Sequence, residues 1–268
     1  MTLSQWLFGG FDNPRVENQW GPLHIATLVA CVAAILAFYF IVKKSSNKDK
    51  AGKIILCSMA GAIAFFEVMI RFVYFMKLYH FHDPSMNGTD ALWIMLPKPW
   101  CAIACWLLIA SVFVKKPFFY NLASLSALLC SVIFFVYPGV GYNNQYLIFE
   151  NWYSILTHAL LLTMSITLIV LKFTDFQYRE IWKVATGLLL TVAYSLLEIF
   201  VLKTPLGTPI YADPMYFMPG GDIQAGILGI DYGLYLALYI VLILVYVNSF
   251  YLVTLLRSRK RKRIAVTE

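Results

Sequence analysis

Long apolar stretches dominate the chain and determine its predicted architecture. A helix that crosses the hydrocarbon core of a bilayer needs about 20 consecutive, mostly apolar residues. Seven stretches meet this requirement, and they lie near 23–42, 54–76, 94–114, 118–137, 153–171, 182–202 and 233–256. Because apolar runs of this length are typical of membrane-spanning helices, the pattern predicts an all-α, polytopic membrane protein, a bundle of seven transmembrane helices.

The third stretch differs from the others at its beginning. Pro97 and Pro99 interrupt the helical pattern, so the regular part of this helix is expected to begin near Trp100. Lys115-Lys116-Pro117 predicts a tight turn between the third and fourth helices. No stretch is polar enough to fold as a separate soluble domain. We therefore expect a single transmembrane domain over 1–256, followed by a basic tail at 257–268.

Composition agrees with this architecture and excludes other classes. Hydrophobic residues make up 60% of the 268 positions and charged residues only 13%. A water-soluble domain of this length needs more charge to cover its surface. A cytosolic enzyme, a disordered chain and a fibrous repeat are therefore excluded, and membrane lipids are the expected surroundings.

The formal net charge of +7 is distributed unevenly along the chain. Of the 21 basic residues, 16 fall between helices on one side or in the tail. The other side has Arg15, Lys77, Lys98 and Lys203, and Arg71 lies inside a helix. Cytoplasmic loops carry the excess of Lys and Arg, so the N-terminus is predicted outside and the C-terminus in the cytoplasm. Because topology accounts for the basic residues, no nucleic-acid partner is predicted.

Few ionisable residues occur within the predicted helices, and each is costly there. Glu67 and Arg71 are four residues apart in the second helix and share a face. Glu198 lies near the outer end of the sixth helix. Glu67 and Arg71 either neutralise each other as a structural pair or, with Glu198 and His24, line a polar cavity that holds a headgroup or a catalytic partner.

Histidine adds further candidates at the outer side. His24 opens the first helix, and His158 is expected about one and a half turns inside the fifth, where it could transfer protons. The His80-x-His82-Asp83 run is too short to indicate a metal site. No metal or other cofactor is predicted.

Cys101 is distinguished among the five cysteines by its position. It follows the proline-interrupted start of the third helix, where unpaired backbone N–H groups and the helix dipole favour a thiolate and an oxyanion. Cys105 lies one turn deeper. A Cys101/His158 dyad would suit acyl transfer, as nucleophile and base.

These residues together resemble a known family. Leu96-Pro97-x-x-x-Cys101, His158 in a later helix and Pro22-Leu23-His24 are similar to the YwaF-like bacterial membrane proteins, which group with eukaryotic transmembrane protein 164. The resemblance covers roughly residues 20–256. In the family the Leu-Pro element usually continues as Leu-His-Leu-Cys, whereas this chain has Lys98-Pro99-Trp100-Cys101 and no histidine at position 99.

The resemblance implies a cysteine-dependent acyltransferase that acts on the acyl chains of phospholipids. Cys101 would match the family nucleophile and His158 its histidine. The bacterial members imply a location in the cytoplasmic membrane. The same polar residues would also suit a small-solute transporter or binding protein, and a non-catalytic membrane scaffold remains open. A shared scaffold does not fix the chemistry.

Overall fold

The fold is described from a computed structural model of the chain. It describes residues 2–9, 20–83, 86, 91–97, 100–136, 141–142, 144–200 and 228–267. Within the helices, the side chains of 92–93, 195–196, 198–200 and 257–267 are outside the description. The predicted outer loop at 203–232 lies mostly outside the described residues.

The described residues fold almost entirely into helices. The α-helices are α1 (Leu3–Phe8), α2 (Pro22–Lys44), α3 (Lys48–Tyr79), α4 (Ala91–Met95), α5 (Trp100–Val114), α6 (Pro117–Val136), α7 (Phe149–Val170), α8 (Ile181–Phe200) and α9 (Tyr232–Thr267). A short 3₁₀ helix, Tyr178–Glu180, precedes α8. The all-α prediction is confirmed.

Each of the seven predicted stretches contains a helix, and the described residues hold five helices that are long and apolar enough to cross a bilayer. These five are Pro22–Lys44, Lys48–Tyr79, Pro117–Val136, Phe149–Val170 and Tyr232–Leu256. α5 is apolar but has only 15 residues. The chain is therefore a multi-pass membrane protein, while the count of seven crossings stays a prediction.

The two prolines have the predicted effect on the third stretch. α5 begins at Trp100, and the residues before Pro97 form the separate short helix α4. Proline lacks a backbone N–H and restricts the residue before it, so a continuous helix from residue 94 is disfavoured. Cys101 consequently lies in the first turn of α5.

α6 is the central helix of the bundle. It packs against α5, α7 and α8, and its buried positions include Asn121, Ser124, Ser126 and Ser131. α2 and α9 are peripheral, and their large apolar side chains, such as Val29 and Leu242, are exposed. Exposed apolar side chains on a spanning helix face lipid, so the bundle has a polar-containing centre and an apolar perimeter.

The C-terminal ends of α2, α5 and α7 lie at the same end of the bundle as the N-terminal ends of α3, α6 and α8. We call this the basic end, because most of the loop lysines are located there. Asn121 ties three segments together at this end. Its Nδ2 donates to the Asp175 carbonyl at 2.7 Å and to the Tyr251 hydroxyl at 3.3 Å, and its Oδ1 accepts from the Asp175 N–H at 2.9 Å.

The short helix α1 packs on the opposite end. Trp6 donates from Nε1 to the Leu147 carbonyl at 3.0 Å and contacts Phe149 edge-on. Beneath it, Lys77 forms an ion pair with Glu150 of α7. The sequence prediction placed Lys77 in an outer loop, but it is buried and lies within α3. The ion pair explains this difference, because it satisfies the ammonium group inside the fold.

α9 extends beyond its predicted end. The segment from residue 257, which the sequence predicts to be a basic tail, continues this helix to Thr267. Leu, Arg, Lys and Ala all favour helix, so the polar tail continues the helix that the apolar stretch begins. The cytoplasmic location of this end remains a prediction.

Candidate functional site

A buried network of charged and polar side chains joins α3 to α7. Arg71 Nη1 contacts Glu67 Oε2 at 2.6 Å, and the Tyr153 hydroxyl donates to Glu67 Oε1 at 2.7 Å. Glu67 is 0% exposed and Arg71 9% exposed. We call Glu67, Arg71 and Tyr153 the polar network. The two residues that share a face of the second predicted helix are therefore a buried pair, and its ionic contact offsets the cost of charge inside a bilayer.

Arg71 also reaches the segment before α5. Its Nε donates to the Met95 carbonyl at 3.3 Å, and its guanidinium lies 5.5 Å from the ring centroid of Trp106. A second bond from Nη1 goes to the Glu67 carbonyl at 2.7 Å. Arg71 therefore links α3, α4 and α5. Among the described residues, its Nη2 has no hydrogen bond.

Two thiols lie beside this network. Cys101 is half-buried and Cys105 is buried, and both interact electrostatically with Glu67. The Cys105 side chain also lies close to the Glu67 carboxylate. Both thiols also lie near Tyr153. A carboxylate offers no positive charge to a thiolate, so Glu67 opposes the thiolate that the helix start was expected to favour at Cys101.

His158 occupies a different surface of α7. Its Nδ1 lies 2.7 Å from the Ser154 carbonyl, and its ring stacks on Phe134 with centroids 3.8 Å apart. A carbonyl oxygen only accepts hydrogen bonds, so Nδ1 carries the proton and Nε2 keeps its lone pair. This is the tautomer that a general base uses.

His24 is fully buried among aromatic rings. Its imidazole lies with ring centroids 4.7 Å from Trp20, 4.7 Å from Tyr142 and 5.8 Å from Phe135. The carbonyl of Phe135 is its polar neighbour, outside hydrogen-bond geometry. Burial raises the pKa of Tyr142, which lies in the loop after α6, so its hydroxyl stays neutral beside His24.

The predicted site residues therefore fall into two groups. Cys101 lies with Glu67 and Arg71 between α3 and α5, whereas His24 and His158 lie with the aromatic residues of α6 and the following loop. Within the described residues, no hydrogen bond joins Cys101 to His158. α7 begins at Phe149, four residues before the predicted start, so His158 lies about 14 Å from the helix start and not about 8 Å.

Two further expectations concern Glu198 and metal ions. Glu198 lies on the backbone of α8, but its side chain is outside the described residues. Among the residues that the structure describes, no group of three or more His, Cys, Asp or Glu side chains has the geometry to hold a metal.

Tyr153 was not among the site residues predicted from sequence. It precedes His158 by five residues in the polar start of α7, so the pattern drew attention to the histidine. A tyrosine hydroxyl inside an apolar helix needs a hydrogen-bond partner, and Glu67 and Glu198 were the predicted intramembrane acceptors. The need of the Tyr153 hydroxyl for a buried hydrogen-bond partner was the sequence feature that could have identified this residue.

Comparison with known proteins gives one assignment. No curated protein and no solved structure matches the chain. Among protein families, residues 19–208 match the TMEM164 family. The match covers well over half of the 268 residues and contains the polar network as well as Cys101, Cys105, His24 and His158. The chain belongs to the TMEM164 family.

Proposed function

We propose that this protein is a membrane-embedded acyltransferase or acyl hydrolase that acts on the acyl chains of phospholipids, with Cys101 as the nucleophile. The observation that carries the proposal is a half-buried thiol in the first turn of α5, next to the buried polar network. The resemblance described above implies the same chemistry for the same cysteine.

The reaction divides into two steps. Sγ of Cys101 attacks the ester carbonyl carbon of a phospholipid, the thiol proton passes to a base, and the C–O bond breaks. The base returns the proton to the departing lysophospholipid oxygen. A hydroxyl of a second lipid, or water, then attacks the thioester and restores the thiol. Splitting one transfer into two easier steps is the advantage of a covalent intermediate.

His158 is the proposed base, because its Nδ1–H is held by Ser154 and its Nε2 is left to accept a proton. The thiol and this nitrogen are not hydrogen-bonded in the substrate-free protein. Catalytic hydrogen bonds often tighten only when substrate binds, so the proposal requires the acyl group to bring them together. Glu67 is the competing acceptor near Cys101.

The polar network would bind the polar groups of the substrate. Arg71 retains an N–H-bearing nitrogen that forms no hydrogen bond with described residues, while its charge is balanced by Glu67. A guanidinium suits a phosphate or an ester carbonyl. With the N-terminus outside, as the charge bias predicts, the lipid would come from the outer leaflet of a bacterial cytoplasmic membrane.

The test uses the full chain reconstituted in vesicles with a phospholipid carrying a fluorescent acyl chain. Wild type is expected to form a hydroxylamine-sensitive fluorescent thioester and to release or transfer the chain. Cys101→Ala should lose both signals, while Cys105→Ala, the matched thiol one turn deeper, should retain them.

Histidine and carboxylate variants identify the base. His158→Gln should slow the reaction by about 10²- to 10⁴-fold, whereas Glu67→Gln should slow it less. The reverse order would assign the proton to Glu67. Unchanged turnover in Cys101→Ala would overturn the acyl-enzyme proposal and leave a solute-binding or scaffold function.

A further inference from the structure

A groove of about 570 Å³ opens at the basic end of the bundle. It lies between the C-terminal ends of α2 and α7 and the first turn of α3. Lys43, Lys48 and Lys172 line it, together with Asp49 and the apolar side chains of Tyr39 and Val170. This groove is at the opposite end of the bundle from Cys101, so it is separate from the proposed acyl-transfer site.

The charge of the groove is positive. Three lysines against one aspartate leave two positive charges among the lining residues. Asp49 is already held by Lys53, with Nζ 2.5 Å from Oδ2. Lys43, Lys48 and Lys172 take part in no ion pair with any described residue. The groove is therefore suited to an anion that provides the missing negative charge.

The walls of the groove continue onto the lipid-facing surface. Tyr39 and Val170 both line it and are both exposed, one on α2 and the other on α7. Lys43 extends over the ring of Tyr39, with Nζ 5.7 Å from the centroid. Ammonium groups therefore lie directly beside apolar side chains. This arrangement matches a ligand with an anionic head and apolar chains.

Lys172 is held in an unusual conformation. Its φ is +62°, at the C-terminal end of α7, where the Phe173 N–H donates to the Leu168 carbonyl at 3.0 Å. This is the Schellman ending, in which the left-handed residue is usually glycine because glycine lacks a Cβ. A lysine here is not explained by backbone preference. Its charge in the groove provides a reason for its presence.

We propose that this groove binds the headgroup of an anionic phospholipid from the leaflet at the basic end. The phosphate would lie among Lys43, Lys48 and Lys172, and the acyl chains would run along Tyr39 and Val170. By the charge bias this is the cytoplasmic leaflet, which is rich in anionic lipid.

The chain contains a matched control for Lys172. Lys115 also has a positive φ, +53°, at the C-terminal end of α5, and it lies outside the groove. Lys172→Gly and Lys115→Gly each remove one charge from the basic end and place glycine where it is sterically favoured. Neither is expected to lower the temperature of unfolding, so reduced lipid binding would not report loss of folding.

The experiment is native mass spectrometry of the full chain in detergent, with phosphatidylglycerol or phosphatidylcholine of identical acyl chains. Wild type should retain phosphatidylglycerol selectively. Lys172→Gly should weaken that binding about 5-fold, and Lys43→Gln/Lys172→Gly about 25-fold, at about one factor of five per lysine. Lys115→Gly and Lys115→Gly/Lys116→Gln should change it less than 2-fold.

Three outcomes would overturn the proposal. Equal weakening by the Lys115 variants would mean that the whole basic end attracts anions without a site. Equal retention of the two lipids would remove the requirement for negative charge. Full competition by soluble glycerol phosphate at the same concentration would mean that the groove binds a free phosphate and not a lipid.

Discussion

At the scale of single residues, Cys101 and Cys105 differ mainly in access. Both lie one turn apart on α5 and both interact with Glu67, but Cys101 is half-buried while Cys105 is buried. The distinction that sequence made between them rested on the proline-interrupted helix start. A thiol reacts only if a reagent can reach it and its surroundings favour the thiolate. Because Cys101 and Cys105 share the neighbour Glu67 but differ in exposure, comparing them isolates the effect of access.

A thiol probe should therefore distinguish them. We expect a water-soluble, membrane-impermeant maleimide, added from the side of α1, to label Cys101 faster than Cys105 by at least about tenfold, because burial restricts access. The exposed Cys57 is replaced by serine in this experiment to remove its signal. Mass spectrometry of the labelled peptides gives the rates. Equal labelling of the two thiols would contradict the assignment of Cys101 as the accessible one.

The polar network makes a second prediction at this scale. Arg71→Leu leaves the buried Glu67 carboxylate without its counter-ion, which is expected to cost about 3–5 kcal/mol of stability and to lower abundance. Replacing Glu67 and Arg71 by leucine and Tyr153 by phenylalanine removes all three polar groups together. This triple variant should recover abundance, measured by fluorescence-detected size exclusion. Recovered abundance with lost acyl transfer would assign the network to the site, and recovery of both would make it structural.

At the scale of helices, sequence located the apolar centres better than the ends. α3 was predicted over 54–76 but extends over Lys48–Tyr79, since Asn47 caps its polar first turn by accepting from the Lys50 N–H at 2.9 Å. A hydropathy scan detects only apolar runs, so it does not find a polar turn at the start of a helix. It also missed α1 and α4, because helices of five or six residues are far too short to give an apolar run of spanning length. Nor could it pair Tyr153 with Glu67 across 86 residues of chain.

One close contact between helices can be tested directly. A Cβ added to Gly187 of α8 would lie 2.5 Å from Cδ2 of Leu122 in α6. Gly187→Ala should therefore displace α8 and destabilise the bundle by about 1–3 kcal/mol, seen as a lower temperature of unfolding. Gly61→Ala is the control, since nothing lies within 4 Å of its added Cβ. Gly187→Ala/Leu122→Ala should recover part of the loss, and an unchanged Gly187→Ala would contradict the contact.

At the scale of the whole molecule, charge distribution predicts the orientation. Helix packing brings the loop lysines to one end of the bundle, but packing alone does not say which side of the membrane that end faces. The asymmetry of 16 basic residues out of 21 supplies this information. Helix packing therefore determines the architecture, whereas the charge of the loops predicts the orientation.

A reporter fused to the C-terminus tests this orientation. We expect green fluorescent protein to fluoresce there and alkaline phosphatase to be inactive, because the first folds in the cytoplasm and the second requires export. Replacing the basic residues of 257–263 with glutamine should weaken the preference for a cytoplasmic C-terminus. This change in orientation should appear before any change in activity. An active phosphatase fusion in the unaltered chain would reverse the topology and move each proposed site to the other leaflet.

The central position of α6 has a consequence for how the protein is made. Its buried amide and hydroxyl groups are poorly suited to lipid, yet its main neighbours, α5 and α7, are also adjacent to it in the chain. Ribosomal synthesis therefore delivers one partner just before α6 and the other just after it. A nascent chain that stops between α6 and α7 would present asparagine and serine side chains to the bilayer, and such a chain is the form that membrane quality-control proteases should remove first.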